Sequence, residues 1–240
     1  MACMNYTKQI NDNQVMKSIP INNSYVLECL NNFIWFWRNP TFHDNVHTTC
    51  HNHTLEDGWT SEEYMRKIID MGNAHDGFPE QCKAKAMAAN RLVEKPTANK
   101  AAIAECIKRF TDCNGQLGQA TMARNNALGV IYPPGGFISW HNNQNAPGYN
   151  LIFSYAETDT GFFEYYDSNT EEIVKLYDTP GKWTCKAGYF AHFDEPFEKK
   201  VYHSATAPDD DRMTVSYVFN MSEMSNGLHD ETIEEIMSDF

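Results

Sequence analysis

Between residues 127 and 219 the chain breaks into eight short runs of β-branched and aromatic residues, each closed by a cluster of Gly, Pro, Asn or Asp. The runs cover 127–132, 137–141, 149–156, 161–166, 172–177, 183–193, 199–205 and 213–219. Between them stand turn sequences such as Pro-Pro-Gly-Gly, Asn-Ala-Pro-Gly and Asp-Thr-Pro-Gly-Lys. Such runs suit strands better than helices, and eight of them so closely spaced imply a sandwich or barrel. The expectation is a mainly β core.

The texture before residue 125 differs. Residues 22–38 are rich in Leu, Phe, Ile and Trp, and Pro40 follows. Thr60-Ser61-Glu62-Glu63 has a polar cap before acidic first-turn residues, and the apolar stripe Tyr64, Met65, Ile68, Ile69 runs on to Gly72. Residues 79–92 are Ala- and Lys-rich, a helix-forming composition, and 97–110 place Ile103, Ile107 and Phe110 on one face. These segments predict N-terminal helices, α+β overall. The organisation expected is a helical region over 1–120 packing on the core, the β core over 121–222, and an acidic tail over 223–240 with a small amphipathic helix.

Composition narrows the classes. The chain has 240 residues, 42% hydrophobic and 13% aromatic, in the globular range. Its formal charge of −13 disfavours nucleic acid and favours a cationic or neutral substrate over a polynucleotide. Seven scattered cysteines without a CxxC pair fit reduced thiols, and no secretory signal or membrane span is visible, so a cytoplasmic setting is expected.

One constellation carries chemistry. His141 and Asn143 are two residues apart, and on one strand would share a face. His203 lies on a later run, and Arg212 follows across the turn 208–211; if the two runs form a hairpin, both side chains can enter one cavity. Two imidazoles and an oxygen ligand on one face suit a non-haem iron ion with open positions. A buried guanidinium helped by a hydroxyl, Thr214 or Tyr132, suits the far carboxylate of a dicarboxylate co-substrate.

The stretch Tyr132–His141–Asn143 reads YPPGGFISWHNN, and His203–Arg212–Thr214 lies in YHSATAPDDDRMT. In order and spacing they resemble the Fe(II)/2-oxoglutarate oxygenase superfamily, in particular its prolyl-hydroxylase-like branch. That branch reads Tyr-x-Pro-Gly-x-x-x-x-x-His-x-Asp, then a distal His, then Arg or Lys some ten residues on. The stretch from 132 also resembles small oxygenase-like proteins of phage and marine bacteria. The resemblance covers roughly 90 of the 240 residues. It implies a double-stranded β-helix (jelly roll, cupin-like) and a dioxygenase that hydroxylates its substrate as 2-oxoglutarate is decarboxylated to succinate. By it His141, His203 and Asn143 hold Fe(II), and Arg212, Thr214 and Tyr132 hold 2-oxoglutarate. Dioxygen is the other co-substrate, and ascorbate can serve as reductant.

The departure is Asn143, where the family has Asp or Glu. Several readings stay open: Asn143 binds iron through its carbonyl oxygen; the position passes to water or halide, as in the family's halogenases; the site is degenerate and the chain is a binding or structural module; or Glu157 or Asp159 substitutes. His192 is a rival distal ligand. Trp140, Asn145 and Arg124 are candidate substrate contacts. His43, His47, Cys50, His51 and His53 form a second candidate metal cluster, a lid or a polar loop. The substrate (protein side chain, amino acid or nucleotide) and the oligomeric state are not legible.

Overall fold

The computed structural model describes residues 15–144 and 146–239; Asn145 lies outside them. In chain order the first strands are β1 (Lys17–Ile19), β2 (Cys82–Lys83), β3 (Lys85–Ala86), β4 (Asn125–Tyr132), β5 (Gly136–His141) and β6 (Gly148–Ala156). They are followed by β7 (Phe162–Asp167), β8 (Glu172–Tyr177), β9 (Lys182–Phe190), β10 (His203–Ala207) and β11 (Arg212–Phe219). The helices are α1 (Ser24–Asn31), α2 (Pro40–His43), α3 (Glu62–Met71), α4 (Lys100–Thr121), α5 (Met221–Ser225) and α6 (Leu228–Met237).

The strands form two antiparallel sheets, in the orders β1-β9-β6-β11-β4-β3 and β2-β5-β10-β7-β8. Together with the helices this is an α+β protein. Successive strands from β4 to β7 alternate between the two sheets, as do β8 to β11. The two-residue period of a strand gives the larger sheet two distinct faces. On β11, Met213, Val215, Tyr217 and Phe219 join a core with the helices, whereas Arg212, Thr214, Ser216 and Val218 line a cavity that the smaller sheet also lines.

Helix α4 supplies much of the helical core. Asn99 caps its start by accepting from the Ala101 N–H, and the buried Ile103, Cys106, Phe110, Cys113 and Leu117 recur at three- and four-residue spacing. Each of the buried Ile, Phe and Leu side chains among these contributes roughly 1.5–3 kcal/mol. Phe110 reaches the sheet at Gly129, where a Cβ would lie 2.5 Å from the ring, so only glycine permits the contact. On the other sheet, α3 begins at Ser61, whose hydroxyl accepts from the Tyr64 N–H, and ends at Gly72. Its Met65 and Ile68 pack on Trp140, Tyr166 and Tyr202.

Several expectations are corrected. Residues 79–92 are not a helix: this segment holds β2 and β3, which pair with β5 in one sheet and β4 in the other. Pairing with two sheet edges outweighs the weak helix propensity of Ala and Lys. Residues 22–38 form α1 and then a 3₁₀ turn, Asn32–Phe36. The helix placed at 97–110 starts at Lys100 and continues to Thr121, closing on Met122 in the left-handed region. The strand at 183–193 stops at Phe190, and the one at 199–205 begins only at His203, after a 3₁₀ turn at Phe197–Lys199. β10 and β11 are not a hairpin: they lie in opposite sheets, and the turn between them crosses the gap. Among the described residues, no helix is long and apolar enough to cross a membrane.

Candidate active site

His141 and His203 face each other on paired strands. The two residues are register partners in β5 and β10, with ring centroids 4.1 Å apart. Two residues on from His203, Ala205 pairs with Ile138 rather than residue 139, so β5 carries one extra residue there. This bulge turns both Ile138 and His141 toward the cavity and leaves Trp140 facing α3.

Each imidazole has one fixed nitrogen. Nδ1 of His141 lies 2.8 Å from the Ser139 carbonyl, and Nδ1 of His203 lies 3.0 Å from the Val201 carbonyl. A carbonyl only accepts, so in both rings Nδ1 carries the proton and Nε2 keeps its lone pair. Burial, joined by the facing His203, holds His141 well below its ordinary pKa. Burial likewise pushes His203 down to about 4. Both rings are therefore neutral near pH 7, the form that ligates a metal.

Asn143 is not on the strand. β5 ends at His141, and Asn143 takes φ 53°, a left-handed conformation that Asn tolerates. Its N–H donates to the Gly77 carbonyl and its carbonyl accepts from the Ala146 N–H, at 2.8 and 2.7 Å. The approach is close: a Cβ on Gly77 would sit 2.6 Å from the Gln144 nitrogen. Loop contacts, not strand period, bring Asn143 to the wall of the cavity that His141 and His203 line.

At the other end of the cavity Arg212 is 1% exposed. Its Nε donates to Asp178 Oδ2 at 2.5 Å, Nη1 to the Thr214 hydroxyl at 2.8 Å, and Nη2 to the Ser154 hydroxyl at 2.9 Å. Lys186, also buried, donates to Asp178 Oδ1 at 2.5 Å and to the Thr184 hydroxyl at 3.0 Å. Two cations thus share one carboxylate, and with Asp178 ionised and both bases protonated the cluster carries one positive charge in excess. Burial acts to raise Asp178, but Arg212 and Lys186 together outweigh it and hold the carboxyl below its ordinary range. Burial lowers Lys186, against the pull of Asp178.

Several hydrogens converge on the cavity from this cluster. One Nη1 hydrogen of Arg212 has no acceptor among the described residues, and Thr214 accepts from Nη1 and so keeps its own hydrogen to donate. The guanidinium lies 5.9 Å from the ring centre of Tyr132, whose hydroxyl burial keeps protonated. An excess positive charge beside uncommitted donors is a seat for an anion.

All six sequence-derived candidates, His141, Asn143, His203, Arg212, Thr214 and Tyr132, line this one cavity of about 630 Å³. Sequence reading missed Lys186, Asp178 and Ser154. Lys186 carries a faint signal, a charged residue between the apolar Cys185 and Ala187 of a strand, while Asp178 reads only as turn punctuation. Of the other candidates, Cys50 also lines this cavity, and the rest do not assemble there. Trp140 is buried on the outer side, and Arg124 is exposed and away from the cavity. Glu157 pairs with Arg38 at 3.0 Å, and His192 lies beside Asp194 at 3.4 Å. His43 is held by the Phe36 carbonyl and Lys85, and His53 by Asp57. The rings of His47 and His51 lie tilted against each other with centres 4.9 Å apart. Among the described residues, no group of three His, Cys, Asp or Glu side chains could hold a metal, so any ion between His141 and His203 has only the Asn143 amide as a third protein ligand from the sequence-derived set.

No family model matches the sequence, and no curated protein matches it. Among solved structures, a Pseudomonas putida prolyl-4-hydroxylase aligns at 9% identity over 80% of this chain and 99% of that one, with a TM-score of 0.32. The viral collagen prolyl hydroxylase of Paramecium Bursaria Chlorella virus-1, in complex with 2OG, aligns at 11% identity over 67% and 90%, with a TM-score of 0.32. An oxidoreductase of the 2OG-Fe(II) oxygenase family from Burkholderia pseudomallei aligns at 11% identity over 79% and 88%, with a TM-score of 0.29. Superpositions this loose carry no argument about fold or function, which therefore rest on the side chains above.

Proposed function

We propose that this chain is an Fe(II)- and 2-oxoglutarate-dependent oxygenase of the hydroxylating type, built on a double-stranded β-helix. The strand order supports the fold: β9-β6-β11-β4 and β5-β10-β7-β8 are the two four-stranded halves that such winding gives. The observation that carries the function is the joining, in one cavity, of a neutral imidazole pair with free Nε2 atoms to a buried seat with one excess positive charge.

The donor set fits iron. His141 and His203 would hold the ion through Nε2, with the Asn143 carbonyl oxygen as a neutral third ligand, which leaves positions open. Bound iron would supply dioxygen activation coupled to oxidative decarboxylation of the keto acid. The chain's own residues do the placing. Arg212, Thr214 and Tyr132 would take the far carboxylate by charge-assisted hydrogen bonds. Asp178 and Lys186 hold Arg212 in its orientation.

The test is Fe(II) binding and 2-oxoglutarate-dependent succinate formation on anaerobically reconstituted protein, with His141→Ala and Arg212→Ala as controls. Iron binding lost in the first variant and succinate lost in both are the expected results. Wild-type protein that binds no iron would leave a binding or structural module. A second reading follows from the missing carboxylate: an exogenous halide completes the site in place of Asn143, and a chloride-dependent product identifies it.

A further inference from the structure

The segment that holds β2 and β3 forms one wall of the cavity. β2 pairs with β5 and β3 with β4, so residues 82–86 cross from the smaller sheet to the larger and close that side. Their alternation turns Cys82, Ala84 and Ala86 inward. Thr49 fastens the crossing, its hydroxyl set against the carbonyls of Cys82 and Ala84. Leu128, Val130 and Val218 continue the same surface, so this wall of the cavity is small and apolar.

The charges of the lining are one-sided. The chain has 32 Asp and Glu residues, yet among the described residues none lines the cavity. Two arginines do, Arg212 at the buried end and Arg91, an exposed residue. Arg91 donates through Nη1 to the Ala127 carbonyl and pairs with no carboxylate among the described residues, which leaves guanidinium hydrogens for a ligand. The net charge of the whole chain favours a cationic substrate, but this lining repels one. A cavity of about 630 Å³ also exceeds what a five-carbon dicarboxylate fills, and lies in the range that holds a drug-sized molecule.

We infer that the substrate is a small apolar carboxylic acid, its carboxylate held at the rim by Arg91 and its hydrocarbon body laid along Cys82, Ala84 and Ala86 toward the imidazole pair. The inference rests on the oxygenase reading for what happens to that body, but not for its binding. A guanidinium at the rim and an apolar wall within select an amphipathic anion over an amine or a neutral amphiphile. The C–H bonds presented to the imidazole end are then those remote from the carboxylate.

The probes are octanoate, 4-phenylbutanoate, 1-octanol and octylamine, titrated into the full chain by ligand-observed NMR. Excess 2-oxoglutarate keeps the Arg212 seat filled, and its own binding is measured in parallel. At least one acid should bind about tenfold more tightly than the alcohol, and the amine most weakly. Arg91→Gln should remove the preference for acid over alcohol, Arg91→Lys should keep part of it, and Ala84→Leu should weaken the acids without touching 2-oxoglutarate. Equal binding of acid and alcohol, a preference that survives Arg91→Gln, or no binding by either acid overturns the inference. Loss of 2-oxoglutarate binding alone, with acid binding intact, strikes the oxygenase reading instead.

Discussion

The two ends of the cavity are built on opposite plans. At the Arg212 end, side chains from β6, β9, β11 and the turn after β8 are locked together, with Asp178 taking hydrogen bonds from both Arg212 and Lys186. At the imidazole end, each ring makes one hydrogen bond to a backbone carbonyl two residues earlier, and its Nε2 is left over. The first end is organised by the fold and so must be part of what keeps the fold together. The second is held by the backbone, and no hydrogen bond from another described side chain completes it. The difference predicts that substitutions at one end act on stability and at the other on binding.

Asp178→Ala is the largest expected effect. It leaves two buried cations without their anion, and losing one partner of a buried pair costs about 3–5 kcal/mol. Urea denaturation reads it, and Asp178→Asn combined with Lys186→Met should recover part of the loss. The acid limb gives a second reading. The Asp178 carboxyl is depressed in the folded protein, so its stabilisation is full above its ordinary value of 3.8 and disappears as pH falls through the lower folded value. Asp178→Asn should flatten that limb.

His141→Ala should do the reverse. The ring borders an existing cavity and makes one hydrogen bond, so the stability cost should be about 1 kcal/mol. Fe(II) affinity should fall by more than the roughly 10–100-fold that losing an outer partner of a metal ligand costs. If the two variants lose equal stability, the contrast between the ends is wrong.

What the sequence made legible follows the same division. Strand positions from 125 to 219 are readable because each strand of the larger sheet has one face on helices and one on the cavity. The residues that alternate are therefore unlike: Met213, Val215 and Tyr217 against Arg212, Thr214 and Ser216. The bridging wall at 82–86 was not readable, since Cys82, Ala84 and Ala86 are too small to mark a face and their Lys neighbours favour a helix. Asn143 reached the cavity for a reason no period encodes, a left-handed turn clamped by Gly77. Lys186 and Asp178 were invisible as a pair because one lies in a strand and the other in a turn, and only the fold joins them.

Asn143→Asp sharpens the imidazole end. Asp tolerates the left-handed conformation nearly as well as Asn, so the loop should hold. It adds the anion that a two-His set lacks, and Fe(II) affinity should rise about tenfold with succinate formation rising beside it. Unchanged iron affinity would remove position 143 from the ligand set.

Tyr132→Phe is the smallest effect and the finest test of the Arg212 end. The phenol is buried beside the guanidinium, and burial keeps it protonated, so it can only act there as a neutral donor. Arg212 keeps its bonds to Asp178, Thr214 and Ser154 without it. One hydrogen bond among several to the same carboxylate is worth about 1 kcal/mol, or roughly fivefold in the affinity for 2-oxoglutarate. Unfolding should shift little, because no hydrogen bond to another described residue is lost. A large fall in stability would show that Tyr132 belongs to the locked cluster. A fivefold loss of 2-oxoglutarate affinity at constant stability would place its hydroxyl among the groups that wait for a ligand, as the two imidazoles do.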